Sequence, residues 1–104
     1  MAKSSLQIRI DYNRAISQAS SLEQIASELR NTAEKDFQES ISQVDTHWKS
    51  TNASAYVRKC NTLKDNIINS ANKLTRTAAT IRKIAKTTYD AEMRALRLAQ
   101  IRKY

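Results

Sequence analysis

The chain has 104 residues, 18 Lys or Arg against 10 Asp or Glu, a net charge of +8, one Cys, one His, one Trp, and neither Gly nor Pro. Average usage would supply about a dozen Gly and Pro in this length. Without them tight hairpins and positive-φ turns are poorly supported, so strands in series are excluded and an all-α chain is expected.

The first element is a helix over about 6–45. Ala15, Ala19, Leu22, Ala26, Leu29, Ala33, Phe37, Ile41, Val44 and Trp48 recur in steps of three or four, with Ile8, Tyr12 and Ile16 extending the stripe toward the N-terminus. A bend follows at about 45–52, where Asp45, Thr46, Ser50, Thr51 and Asn52 carry side chains that compete with helix for backbone partners. Ser50, Thr51 or Asn52 can cap what comes next. The second helix, over about 52–101, carries the stripe Tyr56, Cys60, Leu63, Ile67, Ala71, Leu74, Ala78, Ile81, Ala85 and onward.

This pattern predicts a single helical-hairpin domain, antiparallel, pairing with itself or a similar hairpin into a four-helix-bundle dimer. Two long helices offer each other one face only, too little interior for a robust monomer, so association is expected. Leu22, Leu29, Phe37, Ile41, Leu63, Ile67, Leu74 and Ile81 are the expected core and assembly seam. Cys60, on the apolar face, reads as a small hydrophobe in that seam.

Charge divides at the bend. Residues 1–47 hold five basic and seven acidic side chains, residues 48–104 thirteen and three. At 100° per residue, most apolar positions of the second helix occupy one face. Arg76, Arg82, Lys83, Lys86, Arg94 and Arg97 gather on the other. That basic face suits plain solvation, an acidic protein, an anionic membrane surface or nucleic acid; it lacks the interleaved aromatics of a single-strand binder.

Enzymatic chemistry is not expected. Asp45, His47 and Ser50 are residue types of a hydrolytic triad, but closeness within a turn does not create convergent geometry. One His and one Cys give no metal-ligand spacing, and no phosphate loop or dinucleotide fingerprint is present, so neither metal nor cofactor is expected. No run of about 18 apolar residues exists and the first residues lack an apolar leader core. The expectation is cytoplasmic synthesis without a signal peptide and without a transmembrane segment.

The segment Trp48-Lys49-Ser50-Thr51-Asn52-Ala53-Ser54-Ala55-Tyr56 resembles the WXG family, small helical hairpins associated with type VII secretion. The shared features are a Trp at the bend, a small residue two positions on (Ser50, where the family has Gly), then Ala55 and the aromatic Tyr56. The family also places a Tyr, followed four residues later by an acid, near the end of its second helix as an export signal. Here Tyr89 is followed by Glu92 at three. The resemblance implies a helical partner, targeting factor or chaperone for a larger secreted effector. It would bind the helical N-terminal region of a toxin and the secretion machinery, as homodimer or heterodimer, and export by type VII secretion is an associated expectation. The alternative from another class is a basic helical nucleic-acid-binding protein.

Overall fold

The computed structural model describes residues 3–47 and 51–102. Every described residue after Ser4 is helical, and no strand occurs among them. Helix α1 spans Ser5–Asn31, a π-helical stretch covers Thr32–Phe37, α2 runs over Gln38–His47, and α3 over Thr51–Arg102. No described residue adopts positive φ, a region that glycine fills most readily, and this chain has no glycine. Of the bend expected at about 45–52, residues 45–47 belong to α2 and residues 51–52 to α3, while Trp48, Lys49 and Ser50 lie outside the described residues.

Helix α1 begins where its side chains can satisfy its free donors. Ser4 Oγ accepts the backbone N–H of Gln7 at 3.1 Å, and the Ser4 carbonyl accepts that of Ile8 at 3.1 Å, which is N-cap geometry. Ser4 and Gln7 have capping-box spacing, yet Gln7 turns forward instead, its Nε2 donating to Asp11 Oδ1 at 2.8 Å.

The chain forms two compact units. A terminal unit joins residues 1–22 and 76–104; a central unit holds residues 23–75. In the terminal unit the buried apolar residues are Ile8, Ala19, Ala78 and Ala85; in the central unit they are Ala26, Ala33, Ile41, Ala53 and Ala71. Seven of these nine are alanines, and Ala19, Ala26, Ala33, Ala71 and Ala78 are fully covered. No large side chain is fully buried among the described residues. Small residues at a contact let helix axes approach closely. Each contributes only one methyl group, worth about 0.8 kcal/mol on burial, so the interiors are tight but thin.

Polar side chains at the edges tie each unit together. In the terminal unit Lys3 meets Glu92, Tyr12 meets Tyr89, and Arg82 meets Ser20. In the central unit Arg30 Nη2 donates to Asn72 Oδ1 at 3.1 Å and Thr75 Oγ1 at 2.7 Å, and Lys64 Nζ donates to Gln38 Oε1 at 2.8 Å. Within each unit, rising numbers on the first segment pair with falling numbers on α3.

The π-helical stretch has a reason in the spacing of buried residues. Ala19, Ala26 and Ala33 follow at intervals of seven, whereas Ile41 comes eight after Ala33. Seven residues nearly complete two α-helical turns; eight overshoot them by about 80°. The wide turn at Thr32–Phe37 absorbs the extra residue and returns Ile41 to the packed face.

Candidate functional site

The richest constellation lies in the terminal unit around Tyr89, which the sequence singled out with Glu92. Tyr89 packs on Tyr12, ring centroids 5.0 Å apart and planes tilted by 47°, within the favoured range for offset aromatic pairs. Beside the pair, Lys3 Nζ donates to Asp11 Oδ2 at 2.9 Å and to Glu92 Oε1 at 3.3 Å. Glu92 is therefore half-buried and engaged by Lys3 rather than free to solvent.

The ammonium and carboxylate perturb one another. Hydrogen bonding from Lys3, with a further contribution from Gln7, holds the Asp11 carboxyl below its ordinary value. Hydrogen bonds to Asp11 and then Glu92 raise the Lys3 ammonium above its own. Both groups stay charged across the neutral range, so the cluster is a fixed clip and no proton donor or acceptor near pH 7.

Between this clip and the tyrosines opens a groove of 260 Å³, lined mainly by apolar side chains including Ile8, Ala15, Ile81, Ile84 and Ala85. Tyr89 also borders two larger and more open hollows, one with Asp90, Met93, Arg94 and Arg97, the other with Arg9, Asn13, Lys86 and Asp90. An apolar trough with basic side chains nearby can seat an apolar side chain and attract carboxylates. Nothing in it places a nucleophile against a base. Among the described residues no group of three His, Cys, Asp or Glu side chains is placed to hold a metal ion.

The remaining predicted residues distribute as follows. Ile41 is buried; Leu22, Leu29, Phe37, Ile67, Leu74 and Ile81 are half-buried; Leu63 is 53% exposed. Ala55 and Tyr56 are exposed near the start of α3, while Trp48 and Ser50 lie outside the described residues. Arg76, Lys83, Lys86, Arg94 and Arg97 are exposed, and Arg82 is half-buried, its Nη2 donating to Ser20 Oγ at 2.9 Å. Cys60 is half-buried with a free thiol. Sequence reading gave no role to Lys3, Asp11 or Ile84 and placed Tyr12 only as stripe. Their grouping depends on which part of α3 faces the start of α1, which spacing within one helix does not encode.

Among the described residues no helix is long and apolar enough to cross a membrane. In comparisons with known proteins, no family model, no curated protein and no solved structure matches the chain.

Proposed function

We propose that this chain is a non-enzymatic, WXG-like protein of type VII secretion, a helical partner, targeting factor or chaperone for a larger secreted effector or toxin. In this reading the two units belong to one antiparallel hairpin, which pairs with a second hairpin, identical or similar, in a four-helix bundle. The chain is made in the cytoplasm and engages the secretion machinery, with Trp48 and Tyr56 at the bend and the Tyr89–Glu92 region as the recognition point.

The observation that carries the reading is the mismatch between an alanine interior and the larger apolar side chains left half-covered. Leu29, Phe37, Ile67 and Leu74 in the central unit and Ile81 in the terminal unit are each only half-buried, apolar side chains that the chain's own packing does not complete. The chain exposes 8052 Å², whereas a folded monomer of its mass typically exposes about 5,900 Å². The difference exceeds the roughly 800 Å² that one partner contributes to a standard interface. Such a surface calls for helices from another chain. The nucleic-acid reading draws its support from the exposed Arg76, Lys83, Lys86, Arg94 and Arg97, a row that phosphates would also satisfy.

The test is affinity purification of the tagged chain from its own host at moderate salt after nuclease treatment, with mass spectrometry of what stays bound. A stoichiometric helical protein is the expected result. Nuclease-sensitive material with no protein partner would move the assignment to nucleic acid.

A further inference from the structure

The two units differ sharply in charge. The terminal unit carries eleven Lys or Arg against three Asp or Glu, net +8; the central unit carries seven of each, net zero. All of the chain's excess charge therefore sits on the unit that contains the apolar groove.

The surface next to the groove is patterned. Ile84, 59% exposed, lines the groove, and Thr77, Ala91 and Leu98 stand at intervals of seven from it, all exposed and uncharged. Seven residues fall only about 20° short of two turns, so these four make one continuous track along α3. Arg76, Lys83 and Arg94, also exposed, lie about 80–100° around the helix from Ile84 at 100° per residue. Along one flank of an apolar track there is thus a predominantly cationic row, three cations with the exposed Asp90 on the same flank.

We propose that this groove and track are the docking site for an acidic amphipathic helix of a protein partner, whose apolar stripe lies on Thr77, Ile84, Ala91 and Leu98 and whose carboxylates face Arg76, Lys83 and Arg94. The assignment rests on the reading of the chain as a helical partner and specifies where the partner binds and what its surface carries. Charge selects the occupant. A second copy laid terminal unit on terminal unit would set +8 against +8, whereas an acidic helix gains encounter rate and register from the same field. Heptad spacing of the track selects a helix over an extended peptide, because a helix presents apolar side chains at the same interval.

The probes are two synthetic three-heptad helical peptides with identical leucine stripes, one with glutamates and one with lysines on the polar face. They are titrated by fluorescence anisotropy against the full chain. The glutamate peptide is expected to bind about ten-fold or more tightly than the lysine peptide. Ile84→Gln should weaken it by about ten-fold, as removal of an apolar anchor does, with an unchanged melting curve because the side chain is exposed. The double variant Lys83→Gln/Arg94→Gln should flatten its salt dependence. Equal binding of the two peptides, or indifference to Ile84→Gln, overturns the proposal. So does tighter binding to a single-stranded oligothymidine or to phosphatidylglycerol vesicles than to the glutamate peptide. Failure here is separable from failure of the broader reading. A helical protein captured from the host that still binds chains bearing Ile84→Gln and Lys83→Gln/Arg94→Gln would dismiss this docking site and leave the partner role intact.

Discussion

At the scale of single residues, two kinds of side chain carry the argument, alanines inside and ionic clips outside. Ala78 is fully covered, and a larger residue there has no room. Ala78→Leu is expected to destabilise the protein by about 1–3 kcal/mol through overpacking, read as a lower denaturation midpoint; an unchanged midpoint would mean that the alanine contact is looser than the structure has it. The Lys3 clip makes a prediction in pH. Asp11 has a lowered pKa when folded, so its contribution to stability is present above the unfolded value and is lost as pH falls through the folded one. Lys3 is raised, so its contribution is present below its unfolded value and lost as pH rises through the folded one. The clip therefore operates between about pH 4 and about pH 10. Being exposed, it is worth little. Lys3→Gln should lower the melting temperature slightly at neutral pH and by progressively less as pH falls below the ordinary Asp range, and an effect that does not shrink in acid would assign it to something other than charge.

At the scale of elements, the helices were legible and their details were not. The absence of Gly and Pro and the three- and four-residue steps from Ala15 to Ile41 and from Tyr56 to Ala85 imply helix throughout, and the described residues are helical. The π-helical stretch was not read from the sequence, although Leu29, Ala33, Phe37 and Ile41 follow at three successive steps of four that drift about 40° each from an α-helical face; a stripe read in steps of three or four does not register that drift. Only burial separates Ile41 from its exposed neighbour Ser40. The Tyr12–Tyr89 pair and the Lys3 clip were hidden for a different reason, since they join positions more than seventy residues apart. Part of the candidate site was visible: Tyr89 and Glu92 were picked out through the family resemblance, and the basic row through its spacing on one helix. The π-helical stretch yields its own test. Deleting Glu34, an exposed residue within it, restores a seven-residue step from Ala33 to Ile41, so the variant should keep its helicity and melt within a few degrees of the parent. Deleting Ser27, exposed on α1, turns every later apolar side chain by about 100° and should unfold the central unit. Equal damage from both deletions would refute the insertion account.

At the scale of the whole molecule, association is the central expectation. Leu74, half-buried in the central unit, belongs to the proposed seam. Leu74→Glu should shift the sedimentation coefficient of any self-associated species to that of a monomer, because an unpaired carboxylate in an apolar contact is costly. Persistence of the larger species would place the seam elsewhere. The terminal unit, with net +8, should also bind its ligand less tightly as salt rises, while contacts made by the neutral central unit should not. The alanine interior has one more consequence. A surface of methyl groups is nearly smooth, and among the buried apolar residues only Ile8 and Ile41 are larger than alanine, so few knobs oppose slippage of one helical segment past another. Indexing within each unit is consequently polar: Arg30 on Asn72 and Thr75 and Lys64 on Gln38 in one, Arg82 on Ser20 and Lys3 on Glu92 in the other. These exposed or part-buried bonds are the kind that water exchanges readily, so the register of each unit rests on weak polar contacts, together with the few larger side chains Ile8 and Ile41 and the Tyr12–Tyr89 pair, rather than on a continuous row of interlocking large residues.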